Sequence, residues 1–180
     1  MKKLIIAVAA MAASGMAVAG PSWTYAEAGY IVVDGDDNDG YSVAGSFGFA
    51  DIWHVRADYS DVDNVAGDTD GYELVAGIHP AISDNTDFVF EISYFDFDIG
   101  AAGELDGYGL EVGLRSMFTD NVELSASVGT DDQDFSAGGD NTDVSVTAGG
   151  QYYFTDNISL GVEVNVGDGN SAEFGVRYSF

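Results

Sequence analysis

A short turn sequence recurs four times along the chain. It reads Phe-Ala-Asp-Ile at 49–52, Ile-Ser-Asp-Asn-Thr at 82–86, Phe-Thr-Asp-Asn-Val at 118–122 and Phe-Thr-Asp-Asn-Ile at 154–158. The aspartates of these turns, Asp51, Asp84, Asp120 and Asp156, are 33, 36 and 36 residues apart. A period of this length accommodates two strands, one short turn and one longer connection. The repeat therefore predicts a series of β-hairpins.

Between the turns, apolar and polar residues alternate with a period of two. In the last strand Ala172, Phe174, Val176, Tyr178 and Phe180 share one face, and Ser171, Glu173, Gly175, Arg177 and Ser179 share the other. Successive side chains of a strand point to opposite sides, so one face is apolar and the other is polar. The alternation predicts ten strands, at 23–33, 40–49, 53–61, 71–80, 87–96, 107–118, 122–128, 143–154, 158–166 and 171–180.

The length of these strands distinguishes a membrane protein from a soluble β-sandwich. Most predicted strands have about 9 to 11 residues, enough to cross a bilayer at a tilt, whereas soluble strands usually have about 5 or 6. Aromatic residues gather near the strand ends, as in the girdles of membrane barrels: Trp53, Tyr59, Tyr72, Phe88, Tyr94, Phe118 and Tyr178. The sequence therefore predicts an all-β fold, a transmembrane antiparallel up-and-down β-barrel of about ten strands, with eight strands as the alternative.

The first residues have the features of a secretory signal peptide. Lys2 and Lys3 precede an apolar stretch from Leu4 to Met16, and Ala17-Val18-Ala19 offers a cleavage site before Gly20. We predict a signal peptide at 1–19 and one barrel domain at 20–180. The exported chain would have periplasmic termini and longer acidic loops at the extracellular side.

Two sets of motifs resemble known outer-membrane proteins. Phe180, with Tyr178, Val176 and Phe174 at alternate positions, is similar to the C-terminal signal that the outer-membrane assembly machinery recognises. The segments 25–30, 82–87 and 105–108 resemble the small outer-membrane barrels, OmpA-like or OmpX-like, and most closely the family named for a sulfation-dependent quorum factor. The resemblance implies a membrane barrel and transfers no catalytic residue.

The charge of the chain excludes nucleic acid as a partner. The sequence has 31 acidic and 5 basic residues, and its net charge of −26 becomes −28 when Lys2 and Lys3 leave with the signal peptide. Phosphates would be repelled by such a surface. The chain has no cysteine, so it forms no disulfides.

The polar face of the strands predicts a charged lumen. Its members are Glu27, Arg56, Glu73, Glu91, Glu111, Arg115, Glu123, Glu163, Glu173 and Arg177. A barrel of about ten strands is narrow enough for long side chains to fill. We expect a salt-bridge network that plugs the lumen, with Arg115 neutralising carboxylates such as Glu111. The alternative is a narrow, cation-preferring water path, because the glutamates outnumber the arginines.

The acidic loops have the oxygen ligands that calcium prefers. The first loop, Asp34-Gly35-Asp36-Asp37-Asn38-Asp39, nevertheless lacks the EF-hand pattern, because Asp39 stands where that loop needs Gly and Gly45 where it needs Glu. We expect solvated loops with at most weak binding of divalent cations, and we predict no specific metal site and no cofactor.

His54 and Asp58 are the best pair for an enzyme such as a lipid-A-modifying barrel. Both histidines nevertheless fall beside short turns, at the end opposite to the outer rim, so we predict no enzyme. The expected function is a monomeric barrel of the Gram-negative envelope with a structural or surface-interaction role. Its expected partners are outer-membrane lipid, lipopolysaccharide and the assembly machinery.

Overall fold

The computed structural model describes residues 20–33, 38–63, 68–100, 103–136, 138–167 and 170–180. The predicted signal peptide at 1–19 and the acidic positions 34–37 lie outside these ranges. Within them, no helix is long and apolar enough to cross a membrane.

Eleven strands make up the described part of the chain. They are β1 (Tyr25–Val33), β2 (Asp39–Phe49), β3 (Trp53–Asp63), β4 (Thr69–Ile78), β5 (Ala81–Ser83), β6 (Thr86–Asp98), β7 (Glu104–Thr119), β8 (Val122–Phe135), β9 (Asp140–Tyr153), β10 (Ile158–Val166) and β11 (Ser171–Ser179).

The sheet closes on itself as an antiparallel barrel of ten strands. Sequential neighbours pair in an up-and-down order, β1 pairs with β11, and β4 pairs with β6 to complete the ring. The short β5 pairs with β6 alone and extends the wall at a turn. It is separated from β4 by His79 and Pro80, and Pro80 has no N–H to donate to a ladder. The predicted ten-strand barrel is confirmed, and the eight-strand alternative is wrong.

The recurring turns lie together at one end of the barrel, which we call the turn end; the opposite end is the loop end. In three turns an asparagine ties its hairpin to the neighbouring one. Asn85, Asn121 and Asn157 each donate from the side chain to a backbone carbonyl, of Met117 (2.9 Å), Tyr153 (3.3 Å) and Ser179 (2.6 Å) respectively. In return, the backbone N–H groups of Met117, Tyr153 and Ser179 donate to the backbone carbonyls of these asparagines. The repeated Asp-Asn is therefore a junction between hairpins.

The acidic segments at the loop end differ from the prediction. Strands β6 to β9 continue well past the predicted limits, so Asp98, Asp106, Asp131, Asp132 and Asp134 lie in strands. Among the described residues, much of the acidic sequence that was expected in loops therefore belongs to strand ends, because paired backbones continue the ladder even where the side chains are charged.

The two faces of the wall have opposite polarity. Large apolar side chains such as Leu74, Ile92 and Leu110 are exposed on the outside, whereas His54, Glu91 and Arg115 are buried inside. This arrangement is the inverse of a soluble protein and matches a barrel with an apolar band facing lipid.

The closed ladder predicts resistance to unfolding by detergent. We expect the purified protein to migrate faster on an SDS gel unheated than boiled, because no free strand edge is available for unzipping. Gel mobility before and after heating measures this directly. Extraction by carbonate together with unchanged mobility on heating would contradict the barrel.

The C-terminal residue offers a matched test of the predicted assembly signal. Tyr178–Phe180 and Tyr152–Phe154 form similar edge-on pairs, with ring centroids 5.0 Å apart in each. We expect Phe180→Ala to lower the yield of folded, membrane-inserted protein well below that of Phe154→Ala, because only Phe180 occupies the terminal signal position. Equal yields, measured by the heat-dependent gel shift, would remove any special role of the terminus.

Candidate functional site

The lumen holds the only buried charges among the described residues and contains a cavity of about 440 Å³. All of the predicted lumen residues line this cavity: Glu27, Arg56, Glu73, Glu91, Glu111, Arg115, Glu123, Glu163, Glu173 and Arg177. They lie there because each occupies a polar position of a strand whose alternate positions face outward.

Two arginines and two glutamates form a compact network near the turn end. Arg115 Nε donates to Glu123 Oε1 at 2.6 Å, and Arg177 Nη1 lies 3.4 Å from the same oxygen. Arg177 also pairs with Glu27 through Nη2 at 2.7 Å. The Tyr153 hydroxyl donates to Glu123 Oε2 at 3.0 Å. Glu123 is only 2% exposed, so its charge is compensated by these donors in place of water.

A second network surrounds Arg56. Its Nε donates to Asp58 Oδ2 at 2.8 Å, and its two Nη atoms lie 3.5 Å from Glu73 and 4.0 Å from Glu91. Glu91 also bonds His54, with 2.7 Å between Oε1 and Nε2. The side chains of Arg56, Asp58 and Glu73 remain about a third exposed to the cavity, so this network is more hydrated than the first.

These partners correct one sequence-based expectation. Arg115 pairs with Glu123, and Glu111 has no arginine partner among its described contacts. The reason is the strand register. Arg115 is paired with Ser125 across β7 and β8, and Glu123 lies two residues closer to the turn on the same face, within reach of the Arg115 side chain. His54 and Asp58 do not meet either. They lie about 13 Å apart along β3, at roughly 3.3 Å per residue, and they bond Glu91 and Arg56 instead.

Carboxylates without an arginine partner gather in the part of the cavity nearer the loop end. Glu163 is exposed although the barrel wall surrounds it, which shows that it stands in open space. Glu173 accepts a hydrogen bond from the Ser42 hydroxyl at 2.5 Å. Glu111 is partly buried nearby. Ionised carboxylates so placed need water or cations, so this half of the lumen is suited to hydration and to positive charge.

Residues 20–24, which we call the plug segment, enter the lumen at the turn end before β1 begins. The Ser46 hydroxyl donates to the Trp23 carbonyl at 2.9 Å, and the Gly48 N–H donates to Thr24 Oγ1 at 3.1 Å. A Cβ on Gly48 would lie 2.9 Å from that of Trp23, so the close approach requires glycine. The Phe180 N–H donates to the Thr24 carbonyl at 3.0 Å, which joins this segment to the end of β11.

The Trp23 side chain is the centre of the turn-end contacts. Its indole Nε1 donates to Asp87 Oδ2 at 2.7 Å. The ring stacks on His54 and His79, with centroids 4.4 and 4.3 Å apart, and Arg115 Cζ lies 4.6 Å from its centroid. Trp23 thus combines stacking, hydrogen bonding and a cation–π contact in one position.

Aromatic residues on the polar face were missed by the sequence interpretation. Trp23 was assigned to the first strand, which in fact begins at Tyr25. Trp23 and Tyr25 occupy odd-numbered positions, as Glu27 and Gly29 do, so they belong to the polar face. Two large aromatic residues on a polar face were the feature of the sequence that could have indicated a packed lumen here. Phe95 also points inward and is 7% exposed, next to Phe97. Gly107 leaves the space that its ring occupies.

Among the described residues, no three histidine, aspartate or glutamate side chains converge in a way that would hold a metal ion. The interactions that the lumen residues make are instead those of charge compensation. Arginines neutralise carboxylates at the turn end, and uncompensated carboxylates face the cavity toward the loop end.

No family model and no curated protein sequence matches the chain. Solved structures do. The fold is similar to that of the KdgM porin, with a TM-score of 0.53 and 15% identity over 87% of this chain and 99% of that one. It is also similar to the KdgM porin in complex with disordered oligogalacturonate, with a TM-score of 0.51 and 13% identity over 87% and 99% of the two chains. The NanC porin has a TM-score of 0.50 and 13% identity, covering 87% of this chain and 100% of that one.

At such low identity the likeness concerns the fold. It agrees with the closed ladder, the apolar exterior and the polar lumen described above. Short turns are periplasmic in barrels of this kind and longer connections are extracellular, so we expect the turn end to face the periplasm. The chain is an outer-membrane β-barrel with a porin-like fold.

Proposed function

We propose that the protein is an envelope barrel whose lumen is closed at the turn end and whose role is structural or in surface interaction. The observation that carries this proposal is the position of Trp23, which is held inside the barrel by Asp87, His54, His79 and Arg115. A general diffusion pore would need a continuous water path at this level.

The burial of the surrounding charges supports closure. His54 is 1% exposed and Arg115 is 6% exposed, so solvent scarcely reaches the lumen around them. Tyr25 adds a second ring, with Arg177 Cζ 4.1 Å from its centroid. The side chains packed around Trp23 therefore leave little room for water at the turn end.

The second candidate is a narrow, cation-preferring channel. The cavity of about 440 Å³ and its uncompensated carboxylates, Glu111, Glu163 and Glu173, favour it. The neighbours of like fold are porins, and one was solved with oligogalacturonate, a polyanion. The acidic lumen of this chain would repel such a ligand. If this barrel conducts, we infer that it conducts cations.

The expectations on enzyme activity, on partners and on the narrower family relationship remain proposals. The separation of His54 from Asp58 gives no support to a lipid-A-modifying enzyme. Monomeric assembly, contacts with lipopolysaccharide and weak divalent-cation binding at the acidic strand ends follow from the predicted membrane setting. The narrower relationship to the family named for a quorum factor rests on its motifs, at 25–30, 82–87 and 105–108.

Recording from planar bilayers tests whether Trp23 closes the lumen. At neutral pH we expect the wild type to give no discrete conductance steps, and Trp23→Ala to give small, cation-selective steps because water reaches the carboxylates. Trp53→Ala is the matched control, since Trp53 is 47% exposed on the outer face. Steps of equal size in all three proteins would favour the channel and reject the plug.

Urea unfolding in lipid vesicles tests the charge network. Arg115→Gln leaves Glu123 with Arg177 as its remaining cation, and breaking a buried pair typically costs about 3 to 5 kcal/mol. Arg56→Gln removes a more hydrated arginine, and we expect a loss of about 1 kcal/mol or less after screening by water. An unchanged midpoint for Arg115→Gln would indicate a hydrated turn end.

The double variant Arg115→Gln with Glu123→Gln controls for the carboxylate left behind. Removing both charges should restore part of the lost stability, because a buried carboxylate whose one remaining cation lies 3.4 Å away costs more than a neutral pair. A double variant as unstable as the sum of the single variants would show that the two residues do not interact.

A further inference from the structure

Both histidines of the chain contact the plug residue Trp23. Their imidazole rings stack on the indole, and the centroids of His54 and His79 are 5.4 Å apart. Histidine changes its charge near pH 6.5 when unperturbed. The protonation state of His79 therefore bears directly on whether the plug segment stays in place.

His54 is bonded to the wall of the barrel beside this stack. Its Nε2 lies 2.7 Å from Glu91 Oε1, and its Nδ1 is buried with no hydrogen-bond partner among the described residues.

His79 is buried in the connection between β4 and β5. Its Nε2 lies 3.4 Å from the Trp53 carbonyl, and its Nδ1 lies 3.9 Å from Asp87, beyond hydrogen-bonding distance. Burial lowers the pKa of His79 below its ordinary value, and the neighbouring His54 lowers it further. As pH falls below about 6.5, a conformation that exposes this ring to water takes up a proton more readily than the closed one does.

The carboxylates that face the two rings are already engaged. Glu91 accepts from His54 and also lies 4.0 Å from Arg56. Asp87 accepts from the Trp23 indole through Oδ2, the oxygen that lies nearest His79.

The cations around the same ring add to the difficulty of charging it. Arg115 sits against the indole, and Arg177 lies one layer further into the lumen, on Tyr25 and Glu123. A new imidazolium charge on His79 would face these guanidinium groups. A hydrated, open turn end would screen the repulsion and supply water to the new N–H donor.

We propose that the plug segment is an acid-released closure: protonation of His79 displaces Trp23 from the lumen and connects the acidic cavity with the periplasm. The inference rests on the proposed function in one respect, that Trp23 closes the lumen. The proton acts by binding the open conformation more tightly than the closed one, which shifts the population toward opening.

Bilayer recordings at about pH 7.5 and about pH 5, on either side of the ordinary histidine pKa, test the proposal. We expect the wild type to be closed at the higher pH, and to show reversible cation-selective steps with at least a tenfold higher open probability at the lower pH. The variant His79→Gln should respond equally at both pH values. Trp23→Ala should conduct at both.

The outcomes separate the two proposals. A wild type that stays silent at both pH values, beside a conducting Trp23→Ala, overturns acid release and leaves the plug intact. A silent Trp23→Ala overturns the plug itself. A pH response that survives in His79→Gln assigns it to other groups and also overturns acid release.

Fluorescence supplies a readout independent of conductance. The chain has two tryptophans, so Trp53→Phe leaves Trp23 as the only indole. We expect acrylamide to quench it several-fold more strongly after acidification in vesicles, and neutralisation to reverse the change. Quenching that is equal at both pH values would contradict displacement. If His79→Gln lacks the heat-dependent gel shift of a folded barrel, His79→Asn takes its place.

Discussion

Closure of the hydrogen-bond ladder by the first and last strands, β1 and β11, is the constraint on which the other features depend. A bilayer offers no water to an unpaired backbone group, so a sheet that crosses it must have no edge. Once closed, the wall has an outside that meets lipid and an inside that does not. The interior of this barrel is therefore polar, and it is stabilised by ion pairs and hydrogen bonds where a soluble domain would have an apolar core.

A polar interior with few cations cannot be neutral throughout. Three arginines serve the lumen, and two of them, Arg115 and Arg177, share Glu123 near the turn end. Arg56 bonds Asp58 directly and reaches Glu73 and Glu91 at 3.5 and 4.0 Å. The glutamates beyond their reach line the cavity. Charge compensation is thus concentrated at one end, and the lumen is compact there and open toward the other end because unpaired carboxylates keep water beside them.

The plug segment links closure of the wall to closure of the lumen. The Thr24 carbonyl accepts a hydrogen bond from the Phe180 N–H, at the point where the first and last strands meet. One residue earlier, Trp23 turns into the barrel and contacts His54, His79 and Arg115. The plug segment therefore both contacts the end of the last strand and fills the turn end of the lumen. The predicted terminal signal, which ends at Phe180, lies beside it.

The sequence by itself determined the barrel: the turn period, the two-residue alternation and the strand lengths predicted ten strands, and the lumen residues followed from the same alternation. Alternation assigns a face but no partner, so it could not choose Glu123 over Glu111 for Arg115. That choice depends on register and on side-chain reach across the lumen. Alternation also could not show that Trp23 lies outside β1, because a residue just before a strand continues the same odd–even pattern in the sequence. Only the tertiary structure brought Trp23, His54 and His79 together, since their contacts join the plug segment, the start of β3 and the connection after β4 across a closed ring.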